Sequence, residues 1–197
     1  MSWTMVDEGW GRRAVDFATI AEPSNCREYV FVHSRLGVGH GDRLLDVACG
    51  SGLAVELARM RGAECAGIDA SRRLIEVARD RSPGSDLRVG DMNDMPWDEE
   101  TFDVATSFRG IWGTTPDAIA DVHRVLRPGG RVAMTVWGDV GKSPGAWMFH
   151  PFRCADDAKV DNQAQMVSLG PPGVGEAFLS DAGFRPEERF VVPFWME

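Results

Sequence analysis

The stretch Leu44-Leu45-Asp46-Val47-Ala48-Cys49-Gly50-Ser51-Gly52 decides how this chain is read. A short apolar run, residues 44–48, predicts a buried strand, and the glycines after it predict a tight turn that lets a ligand approach the backbone. Downstream, residues 53–61 carry Leu53, Leu57 and Met60 at helical spacing, and Glu64–Asp69 predicts a second strand. Ser71 is placed to cap a helix over Arg72–Arg81, in which Leu74, Ile75 and Ala78 share a face until Pro83-Gly84 stops it. Residues 87–90 and 102–107 predict strands three and four. Pro116 suits the first turn of a helix with Ile119, Val122 and Leu126 inward, and Arg127-Pro128-Gly129-Gly130 turns the chain into a fifth strand at 131–137. Strands alternating with helices imply right-handed crossovers and an α/β fold, with a parallel sheet covered on both faces.

The flanks are less regular. Residues 10–20 and 25–36 predict two helices ahead of the sheet, so 1–40 reads as a helical cap and 41–137 as the ligand-binding core. Residues 138–173 hold Gly, Pro and Asp without firm periodicity and read as a lid, with a helix near 161–168. Residues 174–197 close the domain with a helix at 174–182, ended by Gly183, and a sixth strand at 189–195. At 197 residues, 44% hydrophobic and 26% charged, the chain suits one domain. Its 21 basic against 30 acidic residues give a net charge of −9, which disfavours broad attraction to nucleic acid or anionic lipid. Cys26, Cys49, Cys65 and Cys154 show no CxxC pair, so neither a disulfide framework nor a metal site is expected. Without a membrane-length apolar run or a signal-peptide core, a soluble, cytoplasmic protein with no membrane partner is expected.

The loop itself discriminates between ligands. A dinucleotide fingerprint needs a third glycine three residues beyond Gly52, where Val55 stands. Asp46 beside the loop would repel a pyrophosphate, whereas it suits a ligand carrying an ammonium and a sulfonium. These residues favour a cationic nucleoside.

Asp46–Gly52 followed by Asp69 at the end of the second strand resembles the class I S-adenosylmethionine-dependent methyltransferases, of the methyltransferase type 11 kind. Gly90-Asp91-Met92, Met95-Pro96-Trp97, Phe102-Asp103 and Val125-Leu126-Arg127-Pro128-Gly129-Gly130 match that family's later motifs in order and spacing. Ala48 departs from the family, which usually has glycine there. The resemblance implies a Rossmann-like doubly wound, mostly parallel sheet with S-adenosyl-L-methionine as cofactor. It also implies that Asp46, Ala48, Gly50 and Gly52 hold the methionine part and that Asp69 accepts from the ribose hydroxyls. Asp91 and the backbone of Met92 would address the adenine edge, Ala70 and Leu74 would add apolar contact, and Ser107 and Phe108 would lie under the transferred methyl. Plainer readings stand beside these: Asp46 as a turn-holding residue, Asp91 as a solvated loop acid and Asp69 as a surface acid.

The acceptor end offers fewer signals. Arg109, past the fourth strand and near Trp112, has the planar fork that clamps a carboxylate, and is otherwise a solvated arginine. His150, flanked by Trp147, Phe149 and Phe152, is the other catalytic candidate, as a base or a substrate contact. His123 reads as a surface or packing residue, and His33 and His40 as structural. Trp10 is the main candidate to close over the cofactor, with Trp3 and Tyr29 behind it. The absence of Asn-Pro-Pro-Tyr after the fourth strand argues against nucleic-acid methylation. The chain is similar to the malonyl-carrier-protein O-methyltransferases of biotin synthesis, with Ser107 in place but Trp112 about one residue out of register. Carboxyl O-methylation of a small or carrier-bound acceptor is therefore expected. The alternatives are a methyltransferase of secondary or quinone metabolism, or a cofactor-binding partner without catalysis. The family's sheet has a seventh strand for which no sequence follows residue 195 except Met196-Glu197, so an exposed strand edge is expected, with either homo-oligomerisation through it or a loosely packed C-terminal end.

Overall fold

Strand β1, Arg43–Val47, lies at the centre of a five-stranded parallel sheet. The computed structural model describes residues 3–113, 115–138 and 167–192. Around β1 stand β2 (Glu64–Asp69), β3 (Asp86–Val89), β4 (Phe102–Phe108) and β5 (Leu126–Thr135) in the order β3-β2-β1-β4-β5. Order reverses between β1 and β4, and the crevice beyond their carboxyl ends is where such sheets bind ligands. The sheet's helices are α1 (Cys26–Leu36), α2 (Leu53–Met60), α3 (Arg72–Arg81), α4 (Pro116–Val125) and α5 (Val174–Asp181).

Period-two alternation along the strands sorts the core into two layers. Leu44, Cys65, Leu87 and Val104 pack with Val55 and Ala58 of α2 and Ile75 and Ala78 of α3. Leu45, Val47, Ala66, Ile68 and Ala105 pack with Ile119 and Val122 of α4, and Phe178 and Leu179 of α5 lie against them. The doubly wound reading thus holds. Helix α3 begins as expected, with Ser71 Oγ accepting from the Leu74 amide at 3.2 Å.

Two expected elements are not formed over the described residues. The helix expected at 10–20 is a chain of short turns, 3₁₀ at Trp10–Arg13, α at Ala14–Asp16 and π at Phe17–Ala21. Arg13 at φ −121°, ψ 35° breaks any continuous helix there. The sixth strand expected at 189–195 is absent over residues 189–192, and 193–197 lie outside the described residues. Arg189 is held instead by Glu176 at 3.0 Å and by the Gly170 carbonyl at 2.6 Å, and Phe190 meets Phe31 edge-on with Arg35 over its ring. These tethers draw the segment onto α1 and the start of α5. The expected self-association edge is therefore not formed by residues 189–192, and among the described residues the outer edge belongs to β5. The helix placed near 161–168 falls mostly outside the described residues. No described helix is long and apolar enough to cross a membrane.

Gly52 is a tight joint between α2 and α3. Its φ is +82°, and a Cβ there would stand 2.7 Å from the Ala78 methyl on α3. Gly52→Ala is expected to cost about 2–4 kcal/mol from backbone strain plus overpacking, read as a lowered melting temperature. Unchanged melting would show that α2 and α3 can part.

Candidate cofactor and acceptor site

The loop after β1 runs Ala48-Cys49-Gly50-Ser51-Gly52, with positive φ at Ala48 (+58°), Gly50 (+56°) and Gly52 (+82°). Ala48 carries a side chain in a conformation that favours glycine, and its methyl stands 2.3 Å from where a Cβ on Gly110 would sit. Asp69, at the end of β2, locks the loop: one oxygen accepts from the Gly50 amide at 2.9 Å and the other from the Ser71 amide at 2.8 Å. Burial raises its pKa above the usual carboxylate value even against those two hydrogen bonds. A carboxylate has about four lone-pair sites, so acceptor capacity remains for a diol.

Asp46 is fully buried, and its Oδ1 accepts from the Thr106 hydroxyl at 2.7 Å. Burial pushes its pKa up to about 8, the Thr106 hydrogen bond opposing, with Glu22 and Asp69 adding to the rise. Glu22 was invisible in the sequence. It comes from the cap yet is 2% exposed, accepts from Ser51 Oγ and Arg81, and faces the Leu53 amide at the start of α2 at 3.4 Å. Arg81 joins these parts, donating also to the Ser51 carbonyl at 3.0 Å and to the Ala18 carbonyl at 3.2 Å. Asp7 binds the start of α3 through Ser71 Oγ at 2.6 Å. The cap is thus pinned by polar anchors around an acidic cradle, a donor set that fits a cationic ligand and opposes an anionic one.

The remaining expected residues divide. Trp10 is 55% exposed and one ring away from the loop: its ring meets Phe17 edge-on at 5.8 Å, and Phe17 Cε1 lies 3.3 Å from where a Gly50 Cβ would be. Phe17 is the aromatic at the loop. Asp91 turns back on its own segment, accepting from the Asn93 amide at 2.9 Å, and Met92 packs against the core layer of α4. Ala70 is half-buried and Leu74 buried beside the loop's partner Ser71. Ser107 donates to the Val47 carbonyl at 2.9 Å, stapling β4 to β1, and Phe108 packs on Tyr29 at 4.4 Å and His33 at 5.8 Å. Ser107 thus ties β4 to β1 at the switch point, and Phe108 packs that end of β4 against α1. His33 is wholly buried, which pushes its pKa down to about 4, and His123 packs on Phe184, in line with the structural roles expected.

Arg109 follows β4 at φ +60°, a conformation rare for a side-chain-bearing residue. Its amide donates to the Thr135 carbonyl at 3.0 Å, and its carbonyl accepts from Trp112 Nε1 at 2.8 Å. Its guanidinium lies 5.2 Å from the centre of the Trp137 ring and 3.2 Å from Glu28 on α1. Tyr29, beside Glu28 on α1, is buried against Phe108, and burial raises its phenol pKa. His150 lies outside the described residues. Among those described, no His, Cys, Asp and Glu cluster suits a metal.

Residues 45–134 match a methyltransferase domain family. The chain is 34% identical over 159 residues, 78% of its length, to the malonyl-[acyl-carrier protein] O-methyltransferase of Salmonella typhimurium, and spans 59% of that relative. It is 35% identical over 109 residues, half its length, to the 2-phytyl-1,4-naphtoquinone methyltransferase of a Nostoc species, spanning 48% of that protein. In fold it is similar to a chain of the Haloferax volcanii complex between the Trm112 methyltransferase activator and a methyltransferase, with TM-score 0.65 and 21% identity over 91% of this chain and 78% of that one. The matched methyltransferase domain thus spans the sheet and the acidic cradle at its switch point, and the fold is that of Rossmann-like methyltransferase structures.

Proposed function

We propose that the chain methylates a carboxylate on a small or carrier-bound acceptor, in the cytoplasm, with malonyl-carrier protein as the leading candidate. The observation that carries this reading is Arg109, held at φ +60° at the end of β4, beside the switch point. Strained backbone persists where surrounding structure enforces it, and in this reading it serves to present a planar fork to the acceptor. The similarity to an enzyme acting on malonyl-carrier protein supports the same choice.

When bound, S-adenosylmethionine supplies a methyl group on a positively charged sulfur. In this reading Asp46, Ala48, Gly50 and Gly52 cradle the methionine end, Asp69 takes the ribose hydroxyls, and Asp91, Met92, Ala70 and Leu74 surround the adenine. A carboxylate acceptor arrives ionised near neutral pH, so the protein need not remove a proton. Its work is to align the acceptor oxygen and to exclude water, which the buried Tyr29, packed on the half-buried Phe108, favours. A second reading, methylation of a phenolic or quinol hydroxyl, draws on Glu28 as a base near the mouth and on the quinone methyltransferase relatives.

Labelled S-adenosylmethionine with a panel of free and carrier-bound dicarboxylates and phenols tests both. Methyl ester on the malonyl carrier is expected; transfer to no carboxylate, with cofactor bound, would sink the proposal. Arg109→Gln should raise the acceptor KM by about tenfold or more, the scale of one charge-assisted contact, with cofactor affinity unchanged.

A further inference from the structure

We infer that Asp7 and Glu22 are positioning residues that tie the cap across the cofactor site as a strap, so that releasing either end loosens the hold on the cofactor. This rests on the cofactor reading above, which seats S-adenosylmethionine at the loop after β1 and at Asp69. The two anchors grip opposite ends of α3, about 15 Å apart for a helix of that length. At its first turn, Asp7 Oδ1 accepts from Ser71 Oγ at 2.6 Å and from the Arg73 amide at 3.2 Å, and the Arg73 side chain donates to the Asp7 carbonyl at 3.1 Å. At its last turn, Arg81 gathers Glu22 and the Ala18 carbonyl from the cap together with the Ser51 carbonyl from the loop. Arg81 also lies 3.6 Å from Glu56 on α2.

Each anchor touches a residue that shapes the cofactor site. Ser71, which Asp7 binds, gives its own amide to Asp69 at 2.8 Å. Ser51, whose hydroxyl donates to Glu22, lies between Gly50 and Gly52, both at positive φ. Between the anchors the strap passes over the loop, where Phe17 faces Gly50. Apolar burial does little to keep it there. Gly11, Ala14 and Ala18 are the buried positions between the anchors, whereas Met5, Trp10, Val15 and Ile20 are 54% to 75% exposed. The small residues let the backbone lie close to α3, since a Cβ on Gly11 would stand 2.7 Å from Ser71 Oγ. They bury little area, so closure depends on the polar ends. A run of short turns with its large side chains outside opens as a unit once one end is released.

Titration calorimetry with S-adenosylhomocysteine on the full chain tests this through a double-mutant cycle. Asp7→Asn and Glu22→Gln should each weaken binding about tenfold, the scale of one charge-assisted hydrogen bond. The double variant should stay within about threefold of the weaker single. Asp46 and Asp69 remain on the sheet to keep a residual affinity, and a strap already released has nothing more to lose. Independent sites this far apart would add instead, giving about a hundredfold loss. Tryptic cleavage after the exposed Arg12 and Arg13 gives a second readout. S-adenosylhomocysteine should slow that cleavage in wild type and fail to slow it in either single variant, whereas a purely local role for Asp7 or Glu22 would leave the protection in place. If Glu22→Gln does not fold, Arg81→Lys takes its place in the cycle, because one ammonium cannot hold Glu22, Ser51 and Ala18 together. Wild-type affinity in both singles, an additive double variant or retained protection in the singles would overturn the inference alone. No binding of S-adenosylhomocysteine to wild type would bring down the cofactor reading, and the strap with it.

Discussion

Replacing Asp69 by alanine is expected to weaken S-adenosylmethionine binding by at least about a hundredfold. Each charge-assisted hydrogen bond to a buried carboxylate is worth about 1.5–3 kcal/mol, and two ribose hydroxyls double that. The loss has a second source in this protein. Asp69 takes the amides of Gly50 and Ser71 at 2.9 and 2.8 Å, so in the proposed site it would orient the loop as well as the ligand. Asp69→Asn separates the two contributions. An amide keeps the shape and one acceptor oxygen but turns a donor toward one of the backbone N–H groups, so its affinity should fall between wild type and alanine. Titration calorimetry reads the affinities, and the melting temperature of each unliganded variant reports the loop. Wild-type affinity in Asp69→Ala would place the ribose elsewhere.

The second large effect is a pH dependence of cofactor affinity set by Asp46. Its pKa lies near 8 because the buried carboxylate is held beside Glu22 and Asp69, so near neutrality the unliganded protein carries a proton there. A cationic ligand pairs with the ionised form, and binding below pH 8 must expel that proton. Affinity should therefore fall about tenfold per pH unit as pH drops below about 8, a hundredfold by pH 6. Calorimetry in buffers of different ionisation heat should count one proton released at pH 6.5. Asp46→Asn should flatten the profile. Stability runs the other way. The folded chain holds a proton that the unfolded chain releases near the ordinary carboxylate pKa, so this group's contribution to stability is lost as pH rises through its folded value. A pH-independent affinity would mean that Asp46 serves only its hydrogen bond to Thr106.

How much of this was legible depends on where each residue finds its partners. The strands and α2 to α5 were readable because Gly, Pro and Ser71 punctuate short apolar runs and helical faces locally. Asp69 was readable because it follows such a run. In the cap, the helix expected at 25–36 was readable, whereas the residues before it were not, since they are held by single polar contacts across the chain rather than by a periodic face. Glu22, in Glu22-Pro23-Ser24-Asn25, looks like a solvated turn until Ser51, Leu53 and Arg81 converge on it. Glu28 was missed for the same reason, its partner lying eighty-one positions away at Arg109. The run Phe190-Val191-Val192 invited a strand, but Arg189 bound to Glu176 and Phe190 stacked on Phe31 commit it elsewhere.

Ala48 and Gly110 share the room for one methyl group, since a Cβ on Gly110 would come within 2.3 Å of the Ala48 Cβ. Tolerance at either position is consequently set by the occupant of the other. The alanine in the loop after β1 therefore obliges glycine on the facing wall of the crevice, and any larger residue at 110 would have to push the loop away from the sheet.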